Sequence, residues 1–474
     1  MTDLRPVFER LKHAQHVHPY PSYSQRQQQL QQLEQAVRHH QAQLCQAVSQ
    51  DFGHRSTDES IRIEILPTIQ GLQYHQQQLK KWLQPERRHV SWLFQPASNR
   101  IEYQPKGVVG IIVPWNYPIF LTLGPLMAAI AAGNRVMLKL SEDTPATNHR
   151  LQQLLATVFT ADDVVVFTGD AQQAAEFSAL PFDHLLFTGS TAVGRKVMQA
   201  AAKNLTPVTL ELGGKSPAIV AADAKLQISA ERLIFGKCAN AGQTCVAPDY
   251  LWVDESVLDS LLTELQAAFS RLYPSFATNS DYSHICNARH LKRLQHLLQE
   301  AEQHGATIIS CTEHPWQHYL QGQPSGTLPL QLVLNLPEHS ALLQEEIFGP
   351  ILPIRSYQHI ETAIQTIQQG DRPLALYLFS SNPSLQQQVL QQTHSGGVAL
   401  NDCLMQVAQD DLPFGGTGSS GIGSYHGKEG FLAFSHAKAV HKKGWWHPGQ
   451  LIYPPYRSNS WFNNLLNWLL RSKN

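Results

Sequence analysis

A chain of 474 residues is too long for one hydrophobic core and, at about 100–200 residues per domain, implies two to four structural units. Hydrophobic residues make up 42% and charged residues 15%, a composition that folds rather than stays disordered. Thirty-six basic residues against 37 acidic leave a net charge of −1, which excludes the basic surplus of a nucleic-acid-binding protein.

Along the chain, Leu30, Leu33, Val37, Leu44 and Val48 recur at helical intervals and predict an amphipathic helix over 24–50. A second helical stretch covers 58–84, and the basic run Glu86-Arg87-Arg88-His89 reads as a solvated turn. Two strand-like runs, 89–95 and 99–104, predict a hairpin. From Val108 the pattern changes to a continuous apolar run, the mark of a parallel strand buried on both faces. Further strands over 135–140, 164–167 and 184–188 alternate with helices, so a doubly wound α/β sheet is expected. A second α/β stretch runs from about 208 to 400, with the main boundary at Gly213-Gly214. The longest apolar stretch, 119–132, is broken by Gly124 and Pro125 and falls short of the ~20 residues that span a bilayer. No secretion signal opens the chain, and the six scattered cysteines form no CxxC pair. Both features predict a reducing, cytoplasmic setting without a disulfide framework or zinc ribbon.

Four segments carry residue types suited to chemistry. Phe187-Thr188-Gly189-Ser190-Thr191-Ala192-Val193-Gly194 joins a strand to a helix, where Ser190 caps free amides that favour a pyrophosphate. An ordinary glycine turn has the same pattern. Cys245, amid the small polar residues 239–244, is either a nucleophile or an inert buried thiol, and Cys238 reads as packing, two turns earlier if the helix continues. Glu211 ends an apolar strand; burial there makes it a general base, and a salt bridge makes it structural. Asn116, in the rigid turn Pro114–Pro118 after a parallel strand, offers an oxyanion donor or a plain turn residue. The histidines, including His16, His18, His39 and His40, form no metal-binding pattern, and no metal is expected.

As an ordered set these segments resemble the aldehyde dehydrogenase superfamily over about residues 58–456. The likeness is carried by Pro114-Trp115-Asn116, Lys139-Leu140-Ser141-Glu142, Phe187–Thr191, Glu211–Lys215, Gly242-Gln243-Thr244-Cys245, Glu345–Pro350 and Pro413–Gly416. The short amino-terminal region, Ser424–Lys428 and Phe434-Ser435-His436 resemble the class 3 branch, and within it the bacterial coniferyl aldehyde dehydrogenases.

The resemblance implies a Rossmann-type cofactor domain (1–88 and 105–212, with part of 401–430) and an α/β catalytic domain (213–400). It also implies an oligomerisation arm (89–104 and 431–443) that makes a homodimer. Cys245 would attack an aldehyde, aromatic or medium- to long-chain, while the Asn116 amide and the Cys245 N–H hold the oxyanion. Glu211 would activate the water that releases the acid. Lys139 and Glu142 would hold the adenosine ribose, with Ser141 and Trp115 beside the cofactor. Gly189, Ser190 and Gly194 would serve the pyrophosphate turn, and Glu346 and Phe348 the nicotinamide ribose. A carboxylate at Glu142 repels a 2′-phosphate, which favours NAD over NADP. Alternatives on the same residues are a cofactor-independent thiol hydrolase and a non-enzymatic binding protein. Beyond residue 457 an amphipathic tail, capped by Ser458 or Ser460, gathers Trp461, Phe462, Leu465, Leu466, Trp468, Leu469 and Leu470 on one face. That face suits docking on protein or peripheral contact with a membrane.

Overall fold

The computed structural model describes residues 4–320, 326–445, 453–456 and 460–471. Strands β3 (Val108–Ile112), β4 (Arg135–Lys139), β5 (Val164–Phe167), β6 (His184–Gly189) and β7 (Val208–Leu212) run parallel, with short β15 (Gly421–Ile422) antiparallel on β7. Their order is β15-β7-β6-β3-β4-β5. Successive side chains leave opposite faces of a strand. Thus Val109, Ile111, Val136 and Leu138 enter one core with the helices Tyr23–Asp51, Phe120–Ala132 and Pro145–Val158. Val108, Ile112, Met137 and Leu185 enter a second core with Phe177 and Val197. Two covered faces explain why β3 reads as an unbroken apolar run.

The second core is closed by a helix that the sequence reading missed, Leu4–Val17, whose buried Leu4, Phe8 and Leu11 lie at i, i+4 and i+7. That periodicity was available in the sequence. The segment Thr57–Trp82 is helical, with a wider π turn at Ile61–Ile65.

The chain leaves this sheet after Leu212 and enters a second one at Pro217. It comprises β8 (Pro217–Val220), β9 (Tyr250–Asp254), β10 (Thr307–Ser310), β11 (Gln331–Leu334), β12 (Ile351–Tyr357), β13 (Ala375–Phe379) and β14 (Gly397–Leu400), in the order β10-β11-β12-β9-β8-β13-β14. Only β10 is antiparallel to its neighbour in this sheet.

A third sheet joins β1 (Glu86–Arg88), β2 (Ala97–Pro105) and β16 (Ser435–Lys443) in the order β1-β2-β16. It corrects two expectations. Glu86-Arg87-Arg88 is a strand rather than a turn, and the hairpin's first arm lies there instead of at 89–95. The register explains this: Arg88 faces Asn99, so the partner strand ends at Ala97, within two residues of running out. Residues 89–95 pass beyond it and contain a 3-10 turn, Trp92–Phe94. Phe431–Ala433 belong to a helix, Gly427–Ala433, before the strand β16 begins.

The carboxyl-terminal helix is Ser460–Leu470. Phe462 is buried, whereas Trp461 and Trp468 are each 67% exposed. Ser458 lies outside the described residues. Among those residues no helix is long and apolar enough to cross a membrane.

Candidate active site

Strand order reverses on either side of β3, which lies between β6 and β4. Ligands of open α/β sheets bind at the carboxyl ends of strands at such a switch point. The loop after β3 carries Trp115 and Asn116, and the turn after β6 carries Gly189 and Ser190.

Ser190 caps the helix Thr191–Ala202, its hydroxyl accepting from the Val193 amide at 3.4 Å. The remaining first-turn amides have no acceptor within the helix and carry its positive dipole end. A cleft of about 470 Å³ opens from Thr191 to Gly213, Gly214 and Glu346. A Cβ on Gly194 would stand 2.6 Å from Leu212 Cδ2, so this glycine lets the helix sit close on β7. One on Gly189 would stand 2.5 Å from the tip of the Phe187 ring. At the end of β4, Lys139 Nζ lies 3.0 Å from Glu142 Oε2, with the lysine buried and the carboxylate half exposed. Ser141 holds the same turn by accepting from the Asp143 amide and, through its carbonyl, from Asn148 Nδ2 at 2.6 Å.

The thiol comes from the connection between β8 and β9 of the second sheet. The helix Leu226–Cys238 stops at Cys238, so it does not continue to position 245. Asn240 and Ala241 then take left-handed backbone angles, and Gly242 follows with φ of 76°. These three turns in succession bring Cys245 back towards β7. Cys238 itself is buried in the core, as a packing residue is. A Cβ on Gly242 would lie 2.5 Å from the Gly349 carbonyl oxygen. Gly242→Ala is therefore expected to cost about 1–3 kcal/mol through overpacking and positive φ, with reduced turnover; denaturant unfolding measures it.

Two carboxylates act electrostatically on the sulfur. Burial pushes the Cys245 thiol up to about 12, and Glu346 and Glu211 push in the same direction, against the backbone amides of Cys245 and Val246. Glu211 is 2% exposed, and neither carboxylate oxygen has a hydrogen-bond partner among the described residues. The salt-bridged alternative is excluded for this residue. Burial alone drives its carboxyl well above the usual range.

Glu346 lies over Gly213, where a Cβ would collide with its carboxylate. Burial, then Asp249, pushes it up to about 7, opposed by the Gly214 amide, Lys215 and Arg293. The loop is anchored from both sides. Arg293 donates to the carbonyls of Glu346, at 3.2 Å, and Ile347. Asp249 accepts from the Ile347 amide at 2.9 Å while paired with Lys215. That grip holds Phe348 at φ of 49°, a conformation costing a non-glycine residue about 1–3 kcal/mol, with its ring edge-on to Trp115 at 5.5 Å.

Asn116 is 3% exposed, and its side-chain Nδ2 donates to the Gln243 carbonyl at 3.1 Å. Tyr117 Oη and Thr244 Oγ1 form a second tie at 2.6 Å. The Asn116 loop and the Cys245 loop are thus bonded directly to each other.

A thiol, a buried carboxyl that acts on it and an amide tied to its loop are thus assembled, and Glu346, which also acts on the thiol, lines the cleft that opens at Thr191. Residues 3–440 match the sequence profile of the Aldehyde dehydrogenase family. The chain belongs to that family.

This aldehyde dehydrogenase is an oxidoreductase acting on aldehydes, and NAD(P) is the family's cofactor. It is 49% identical over 456 residues to a probable coniferyl aldehyde dehydrogenase of Pseudomonas aeruginosa, covering 96% of this chain and 94% of that one. It is 39% identical over 433 residues to the 4,4'-diaponeurosporen-aldehyde dehydrogenase of Staphylococcus aureus, covering 91% and 92%. The substrate-bound structure of Staphylococcus aureus AldH superposes with a TM-score of 0.92 at 37% identity, over 99% of this chain and 100% of that one.

Several residues that shape this aldehyde dehydrogenase's crevice had no signal of their own in the sequence. Lys215 and Asp249 pair across 34 positions. Arg55 comes from the link between the helices Tyr23–Asp51 and Thr57–Trp82, and Glu59 and Glu64, with which it pairs, from the second of them, a segment that reads as an ordinary helical stretch. Tyr425 appeared only as part of a family likeness. Its hydroxyl is buried without a partner among the described residues, in the field of Glu211 and Cys245. No group of three or more His, Cys, Asp or Glu among the described residues is arranged to hold a metal ion.

Proposed function

We propose that this aldehyde dehydrogenase oxidises its substrate through a thioester on Cys245, with Glu211 as base and Asn116 as oxyanion donor. The observation that carries the reading is the buried Glu211 carboxyl, which has no hydrogen-bond partner among the described residues and acts electrostatically on the Cys245 thiol, so that it is available to take a proton from water. The resting thiol is protonated, so attack requires its proton to leave to solvent as sulfur bonds to the aldehyde carbon, with Glu211 kept as the carboxylate for the later step. An amide nitrogen has two donors. Asn116 commits one to Gln243, which orients the other, with the Cys245 N–H, towards the developing oxyanion. NAD(P)⁺, when bound, supplies the chemistry of accepting a hydride. Glu211 then removes a proton from water as its oxygen adds to the thioester, releasing the acid and restoring the thiol.

The cleft between Thr191 and Glu346 and the free amides of the capped helix fit a dinucleotide. Gly189, Ser190 and the close approach allowed by Gly194 would hold the pyrophosphate. Lys139, Ser141 and Glu142 would hold the adenosine ribose, and Glu346 and Phe348, backed by Trp115, the nicotinamide ribose. The Glu142 carboxylate favours NAD. Like charges 4 Å apart cost about 1 kcal/mol in water, so Glu142→Gln should raise kcat/KM with NADP relative to NAD by about five- to tenfold. An unchanged ratio in steady-state assays refutes that role.

An aromatic aldehyde of the coniferyl type is the favoured substrate, on the strength of the 49% identical relative and of Phe120, half-buried beside His426 at 5.9 Å. The deciding assay follows reduced-nicotinamide absorbance with coniferyl aldehyde, benzaldehyde and a medium-chain alkanal, with NAD, with NADP and without either. Acid formation without nucleotide would replace this reading with a thiol hydrolase.

A homodimer built through the β1-β2-β16 sheet and a cytoplasmic location, which suits six free cysteines, complete the proposal. The outward Trp461 and Trp468 support peripheral membrane contact by the terminal helix. Vesicle flotation tests it.

A further inference from the structure

We infer that Arg55 is a positioning residue that locks the Asn116 loop to the Cys245 loop. The inference rests on the proposal that Asn116 is the oxyanion donor and Cys245 the nucleophile.

Arg55 is buried, and its guanidinium donates to the backbone carbonyl of Asn116 at 3.0 Å. The same carbonyl accepts from Asn240 Nδ2 at 2.8 Å, so one oxygen is gripped by a residue from each side of the crevice. Two carboxylates flank the guanidinium, and each holds one of the two loops. Glu64, 3.1 Å away and fully buried, accepts from the amides of Ile119 at 2.8 Å and Phe120 at 3.1 Å, just beyond Asn116. Glu59, 3.9 Å away, accepts from the Asn240 amide and, at 2.9 Å, from Ser283 Oγ. The face of the cation stands 4.8 Å from the Tyr117 ring, and that tyrosine's hydroxyl bonds Thr244, next to the nucleophile.

The two loops are far apart in sequence, and left-handed Asn240 turns the second of them against the first. A buried charge cluster is a poor source of stability compared with apolar packing, yet it enforces one geometry because every displaced partner is left uncompensated. Donor and nucleophile must be held to a fraction of an ångström for the oxyanion bond to form, which Arg55 achieves by bonding the Asn116 loop directly and the Asn240 loop through Glu59. Arg55 touches no reacting atom. It acts through Asn116.

A double-mutant cycle tests this. Arg55→Met combined with Glu64→Gln removes both charges while keeping an acceptor for Ile119 and Phe120, and thermal unfolding verifies that the variant is folded. In the parent background it should lower kcat/KM for the aldehyde by about 10- to 100-fold, with nucleotide affinity, read by fluorescence quenching, unchanged within about twofold. In an Asn116→Ala background the same pair should change kcat/KM by less than about twofold, because the group through which it acts is gone. Glu59→Gln, a milder change that keeps the acceptor for Asn240, should show the same non-additivity at smaller size. A full effect persisting without Asn116, or no effect in either background, overturns the inference. If Asn116→Ala itself retains parental activity, the oxyanion assignment fails first and takes this one with it, whereas an Asn116-dependent enzyme indifferent to Arg55 leaves that assignment standing.

Discussion

Cys245→Ala should lower kcat for aldehyde oxidation by about 10⁴-fold or more while nucleotide affinity stays within about twofold. The magnitude follows from covalent catalysis: without sulfur there is no adduct from which a hydride departs, and only proximity of aldehyde and nucleotide remains. The parent should accumulate a substrate-derived thioester at Cys245, detectable by mass spectrometry of an acid-quenched turnover, and the variant should not. A second measurement uses the raised thiol. With its pKa pushed up to about 12, Cys245 should be slow to alkylate at neutral pH, and faster as the pH rises. Alkylation of Cys245 that leaves turnover intact, or a Cys245→Ala variant that still oxidises aldehydes, sinks the covalent mechanism. The other five cysteines are buried and leave the comparison clean.

The second large effect is expected at Glu211. Replacing it with glutamine keeps shape but removes the base, so acyl-enzyme should form and then persist. Pre-steady-state traces should show one equivalent of reduced nicotinamide per site, followed by a steady state about 10²- to 10⁴-fold slower, the range of general base catalysis. Burial raises the Glu211 carboxyl, so the active carboxylate form is populated only as pH rises; the acid limb of the parent profile should vanish in the variant. Stability should move the opposite way. A carboxyl whose folded pKa lies above its unfolded value stabilises the fold while protonated, and that contribution is lost as pH rises through the folded pKa. Glu211→Gln should therefore unfold at about the parent's Tm near pH 5 and at a higher Tm near pH 8, by about 1.4 kcal/mol per unit of pKa elevation. Loss of the initial burst, or a Tm difference independent of pH, contradicts the assignment.

Much of this was legible because the local physics is strong. The parallel strands announce themselves at Val108–Ile112 and Val164–Phe167, where two covered faces forbid polar residues. Ser190 is read correctly as a cap because a serine between a strand and a helix has one cheap way to satisfy an amide. Glu211 remained ambiguous between base and ion pair, since the choice depends on whether any cation faces it, and none bonds it here. The hairpin failed for a related reason. Residues 89–95 have strand-like composition, but pairing depends on where the partner strand ends, and β2 stops at Ala97.

The sequence alone determined the alternation of strands and helices, the family likeness and the chemical inventory of thiol, carboxylates and amide, because those rest on periodicity and residue type within short windows. Tertiary structure alone decided that Glu211 has no hydrogen-bond partner among the described residues, that Glu346 sits over Gly213, and that Arg55 and Asn240 grip the same Asn116 carbonyl. Such facts depend on dielectric surroundings and on contacts between residues as far apart as Glu59 and Asn240, 181 positions in sequence, which no local pattern encodes.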